Sequence, residues 1–208
     1  MPEGWYTVKP FDILKKSLIL KRPLFGLGGY QARTNDSPLQ KGQYQMTVPA
    51  LQPYMNTRED SVFRFLGIPT VMRSTGETTH GAFCLIEQWT IPSGFASPYH
   101  VHHLEDEAFY LLEGEIAFVS DGKWIKAGPG AYVFGPREIP HGFKIVGTAP
   151  ARMLLLCAPA GFERFVLEMA EHLDSPPAPP DMTKLITLAA KYKIDILGPL
   201  PEEAGVPA

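Results

Sequence analysis

Cysteine is scarce in this chain: two, Cys84 and Cys157, in 208 residues. They form no CxxC pair, which excludes a disulfide-stapled scaffold and a thiolate zinc ribbon. Both fall in apolar, strand-like runs, where the expected state is a buried, reduced thiol in a cytoplasmic protein. Long apolar runs are missing as well. MLLLCAPA (153–160) is far short of the ~20 residues that cross a bilayer. The opening MPEGWYTVKP has no basic segment followed by an apolar core, so it does not read as a secretory signal. An excess of one charge is absent too: 19 Lys and Arg against 22 Asp and Glu leave a net charge of −3. With no basic stripe, the electrostatic footprint of a nucleic-acid binder is lacking. The expected partner is a small molecule, not a nucleic acid or a membrane.

What is present points to one β domain. Hydrophobic residues make up 45% of the chain, enough for a real core. The 21 prolines and 19 glycines are spread between short apolar runs, the punctuation of an all-β fold with many turns. Residues 1–58 carry no clean period and read as an N-terminal leader or arm, either poorly ordered or wrapped around the domain. SVFRFLG and PTVMRS are short strand candidates, and AFCLIEQWTI (82–91) is a long one. In the long run Phe83, Leu85, Glu87 and Trp89 fall on one face and Cys84, Ile86, Gln88 and Thr90 on the other. His80, in the loop before it, reads as a surface histidine. Asp121-Gly122 between FVS and KWI is a hairpin signal.

After Gly161 the period changes. Phe162, Phe165, Val166 and Met169 are spaced as one helical stripe, in a helix expected to end near Leu173. SPPAPP is a stiff connector, Asp181 a candidate N-cap, and Met182, Leu185, Ile186 and Ala189 a second stripe. The tail ILGPLPEEAGVPA is expected to be extended.

The chemistry concentrates in GFASPYHVHHLEDEAFYLLEG (94–114). His100 and His102 are two apart, so on a strand both imidazoles point to one face and can reach one metal ion. Glu107 can add an oxygen at the head of the next strand, where Glu107, Phe109 and Leu111 alternate with Ala108, Tyr110 and Leu112. A third imidazole must come from elsewhere, and His141, in GPGAYVFGPREIPHGF, is the candidate. His103 has the opposite parity and should face away. Asp106 has the wrong parity for a ligand; Glu105 has the right parity but falls in the expected turn. Parity also puts Phe109, Leu111 and Phe143 on the ligand side, as walls of an apolar pocket. Tyr99 and Tyr110 are expected on the outer face.

These two segments resemble the two cupin motifs. Gly94, His100, His102, Glu107 and Gly114 stand at the spacings of the first, and Gly130, Pro136 and His141 at those of the second. Glu138 stands where the second motif usually has glycine, and Ile145 where it often has asparagine. The resemblance implies a cupin double-stranded β-helix, a jelly-roll barrel over 59–160 with a C-terminal helical extension over 161–208. It also implies one divalent metal ion (Fe, Mn, Ni, Co, Cu or Zn) on His100, His102, Glu107 and His141. Cupin barrels commonly pair, so a homodimer is expected.

The order GFERF, proline-rich link, short helix, KYKIDILGP is similar to the C-terminal part of quercetin-dioxygenase-like monocupins. By that analogy the expected function is a metal-dependent dioxygenase that acts on a flavonol or related hydroxylated aromatic with O₂. Glu107 would be both ligand and catalytic base. Two other classes stay open: a cupin isomerase, cyclase or hydrolase with a Lewis-acid metal, and a non-catalytic small-molecule-binding cupin.

Overall fold

The computed structural model describes residues 53–175 and 180–202. Almost all of the expected arm or leader, residues 1–58, lies outside the described residues. Its last few residues run along a strand edge: the Tyr54 hydroxyl donates to the Arg73 carbonyl at 2.8 Å, and Asn56 Nδ2 to the Met72 carbonyl at 3.1 Å.

In chain order the strands are β1 Phe63–Phe65, β2 Ile68–Ser74, β3 Cys84–Ile91, β4 Tyr99–His102, β5 Asp106–Glu113, β6 Glu115–Ser120, β7 Lys123–Ala127, β8 Tyr132–Gly135, β9 His141–Val146 and β10 Ala151–Ala158. Helices α1 Phe162–Met169 and α2 Met182–Lys191 follow, and β11 Ile194–Gly198 comes last. Two antiparallel sheets result, ordered β1-β2-β3-β10-β5-β8 and β11-β4-β9-β6-β7. The all-β jelly-roll expectation holds, with one correction. Among the described residues the ladders form two separate sheets and do not close into a barrel. Past β8 the chain runs through Pro136 and Pro140, which have no N–H to continue a ladder.

Alternation builds the core. β10 reads buried, half-buried in strict turn, with Ala151, Met153, Leu155 and Cys157 inward. The Asp121-Gly122 turn joins β6 to β7 with both residues at positive φ, 49° and 71°. β3 has its own irregularity: Thr90 takes φ 49°, and the register against β10 shifts there, which brings Ile91 inward.

The first helical stripe forms, with Phe162, Phe165, Val166 and Met169 all buried. Its helix stops at Met169, short of Leu173, because the Glu171 backbone leaves to bridge Arg64, with N–H···O distances of 2.9 Å both ways. Asp181 caps α2 by accepting from the Lys184 N–H at 3.0 Å. The second stripe is narrower than expected: Leu185 and Ala189 are buried, while Met182 and Ile186 are about half exposed at 48% and 50%. Of the tail expected to be extended, residues 196–198 join strand β11, 199–202 form no strand, and 203–208 lie outside the described residues. β11 pairs antiparallel with β4, placing Ile194 opposite His102 and Ile196 opposite His100. None of the described helices is long and apolar enough to cross a membrane.

Candidate metal centre

The three histidines rise from the five-stranded sheet and the glutamate from the other. β4 presents His100 and His102 on one face, as the two-residue period requires. β9 begins at His141, and its register sets His141 opposite His100. Glu107 is the second residue of β5, between Cys157 on β10 and Gly135 on β8. Gly135 makes room for the imidazole: a methyl there would lie 3.2 Å from His141 Nε2. Each of the four side chains offers a donor atom within 4.8 Å of every other, so the group could hold a metal ion.

The distances converge on one carboxylate oxygen. Glu107 Oε2 is 2.9 Å from His141 Nε2, 3.7 Å from His100 Nε2 and 3.9 Å from His102 Nε2. His102 and His141 are fully buried and Glu107 nearly so; His100 keeps 12% of its side chain accessible. Two rings are oriented by backbone. His100 Nδ1 lies 2.8 Å from the Pro98 carbonyl and His141 Nδ1 2.8 Å from that of Ile139. Each Nδ1–H donating there turns Nε2 toward the centre, where that of His141 meets Glu107 Oε2.

Electrostatics follow the geometry. Burial opposes the Glu107 charge, but the surrounding imidazoles, His100 first, outweigh it and hold the carboxyl far below the usual range. Burial pushes the His100 ring toward its neutral form. It acts against a charged His141 as well, yet the hydrogen bond to Glu107 wins and raises that pKa. Burial keeps the Cys157 thiol, 4.0 Å from Glu107 Oε1, protonated. A carboxylate ringed by three imidazole nitrogens is a donor set suited to a divalent transition metal. His102 adds a second sign, since Nε2 is buried, aimed at the cluster and without a hydrogen-bond partner. The residues fit such an ion.

The remaining candidates separate. His103 turns outward, its ring between Glu138 Oε2 at 2.9 Å and Asp195 Oδ2 at 3.0 Å. Asp106 makes a bidentate pair with Arg137, at 3.1 Å to Nε and 2.9 Å to Nη2. Tyr110 is exposed and Tyr99 half-buried. A narrow cavity of about 70 Å³ opens beside the cluster. Phe109 and Phe143 line it, joined by Phe95, Phe162, Ile196 and Gln88, whose Nε2 donates to Thr70 Oγ1 at 3.1 Å. Leu111 does not line it; two residues further along β5, it is buried in the core. Sequence reasoning missed Gln88, although its shared parity with the inward Cys84 and Ile86 carried the signal.

Residues 87–157 match the Cupin_2 family, described as a cupin domain. The chain is 24% identical over 109 residues to the uncharacterized protein MJ1618 of Methanocaldococcus jannaschii, a match that spans 52% of this chain and 81% of that one. It is 28% identical over 89 residues to the quercetin 2,3-dioxygenase of Bacillus subtilis, spanning 43% of this chain but only 26% of that enzyme. Among solved structures, KdgF from Halomonas sp. aligns with a TM-score of 0.48 at 14% identity, covering 54% of this chain and 99% of that one. With the motif glycines, the two facing sheets and the family match in agreement, residues 87–157 of this chain are a cupin domain.

Proposed function

We propose that the protein is a metal-dependent cupin dioxygenase acting on a flavonol or a related hydroxylated aromatic. The observation that carries this reading is the four-donor cluster at the wall of an aromatic-lined cavity. The similarity of 89 residues to a quercetin 2,3-dioxygenase supports the substrate class. In this reading His100, His102, Glu107 and His141 hold one divalent ion, which supplies, when bound, Lewis acidity and coordination positions for substrate and O₂. The chain's own residues do the rest. Phe109 and Phe143, packed edge to face with centroids 5.4 Å apart, form one apolar wall against which a planar ring lies and which keeps water from it. Gln88, on the cavity wall with its Nε2 donating to Thr70 Oγ1, offers its amide oxygen to a ring hydroxyl. Glu107 Oε2, the oxygen turned toward the histidines, is placed to take the proton of the substrate hydroxyl, while Oε1 faces Cys157.

Oxygen uptake with a panel of hydroxylated aromatics, on protein loaded in turn with Fe, Mn, Co, Ni, Cu and Zn, tests the proposal. Uptake with at least one metal is expected. Glu107→Gln keeps an oxygen donor and removes the base, and its turnover per bound metal should fall ~10²–10⁴-fold. Turnover that persists without O₂ would replace the reading with an isomerase or hydrolase. No turnover with any metal would leave a binding module.

A further inference from the structure

Two of the three histidines have their outer ring nitrogen on a backbone carbonyl. His102 does not. Around the cluster, three buried polar atoms lack a hydrogen-bond partner: Nδ1 and Nε2 of His102 and Oε2 of Glu105. Unpaired polar groups are expensive to bury, so each implies a partner. The three lie in sequence across the ring. Glu105 Oε2 is 3.5 Å from His102 Nδ1, and Nε2, on the far side, faces the Glu107 carboxylate at 3.9 Å.

We propose that Glu105 is a positioning residue for the metal centre. Its carboxylate accepts the Nδ1–H of His102, which selects the tautomer that presents Nε2 to the ion. This rests on the metal-binding reading above. A separation of 3.5 Å is longer than a formed hydrogen bond, and such bonds in unliganded sites tighten when the site is filled. The surroundings commit Glu105 to this place. It is 3% exposed, although it sits in the short connection between β4 and β5. Gly161 leaves it space, since a methyl there would lie 2.8 Å from Glu105 Oε1. The next residue, Phe162, sets its ring edge-on to His102, centroids 5.0 Å apart. The start of α1 thus covers both partners and excludes water, which strengthens the interaction between them.

A chemical asymmetry follows. His100 and His141 donate to neutral carbonyls, whereas His102 would donate to a charge, making it the most basic nitrogen donor of the three. Loss of such an outer partner typically costs 10–100-fold in metal affinity. The rival role for Glu105 is structural, since its charge also acts on the nearby Arg137.

The test uses the full chain, stripped of metal and reloaded with Co²⁺. Affinity is read by competition with a chromophoric chelator and ligand geometry from the visible Co²⁺ bands. Glu105→Gln is expected to weaken binding ~10-fold and Glu105→Ala up to ~100-fold, with shifted bands. Combined with His102→Ala, Glu105→Gln should add no further loss. Wild-type affinity and bands in Glu105→Gln would overturn the proposal. So would a lower melting temperature of the metal-free variant with unchanged affinity, the mark of a purely structural role. Should Glu105→Gln fail to fold, Glu105→Asp, which keeps the charge and shortens the reach, is expected to show a partial loss, and unchanged affinity there overturns the proposal equally. If the wild-type chain itself takes up no Co²⁺, the metal reading fails, and the proposal with it.

Discussion

Replacing Gly114 by alanine isolates what the motif glycines do. Gly94, Gly114 and Gly130 all have left-handed backbone, with φ of 82°, 80° and 84°. A side chain in that region costs about 1–2 kcal/mol. Around Gly94 and Gly130 a methyl group would meet nothing within 4 Å. At Gly114 it would lie 2.7 Å from the Ala151 Cα and 2.9 Å from the Pro150 carbonyl oxygen. Those atoms are backbone at the head of β10, the strand that pairs with both β3 and β5, so they cannot swing aside. Overpacking of this kind adds about 1–3 kcal/mol. Gly114→Ala should therefore lose about 2–5 kcal/mol, and Gly94→Ala and Gly130→Ala only about 1–2. Denaturant titration of the three variants reads the difference. In a chain of this size each kcal/mol also moves Tm by about 2–4 °C. If Gly114→Ala proves no worse than Gly94→Ala, close backbone approach is not the reason for the glycine and the reasoning fails.

Two further predictions concern side chains beside the ligands. The hydrogen bonds from Arg137 hold the Asp106 carboxyl at about 2, against 3.8 in an unstructured chain. The pair's stabilisation is thus present above pH ~4 and lost as pH falls toward ~2; with Asp106 34% exposed, it is worth about 0.2–1 kcal/mol. Asp106→Asn should be less stable than wild type near neutral pH and indistinguishable from it at about pH 2, as urea titrations across that range would show. Asp195 and Glu138 raise the pKa of His103 above 6.5, so its contribution is complete below that value and fades as pH rises through the folded pKa. His103→Ala should differ from wild type in acidic buffer, converge with it in alkaline buffer, and leave metal content unchanged.

Much of the site was legible because strand parity is a local property. The two-residue spacing put His100 and His102 on one face, and the same alternation turned His103 outward and Tyr110 into solvent. The asymmetry between Glu105 and Glu107 was not legible. Glu105 reads as a turn residue and becomes buried only because Gly161 and Phe162, far along the chain, close over it. The same limit hid β11: ILGPL shows an extended segment but not that it lies against the strand carrying two candidate ligands. A helical stripe, likewise, does not tell how wide its groove is. Met182 and Ile186 fit the period of α2 but stay exposed because only Leu185 and Ala189 reach the core. Glu138 shows the opposite case. It replaces a motif glycine, yet it keeps the left-handed backbone of that position at φ 65°. Its N–H donates to the His102 carbonyl at 2.8 Å and its carboxylate meets His103. The turn survives the substitution because these contacts offset its strain.

Elemental analysis of the full chain, purified without added metal, beside His141→Ala tests the central claim most directly. The account predicts about one transition-metal ion per wild-type chain, and a sharp loss from His141→Ala with the β-sheet circular dichroism retained. Wild-type protein that remains metal-free after incubation with each candidate ion, or a His141→Ala variant that holds its metal as tightly as wild type, would contradict it.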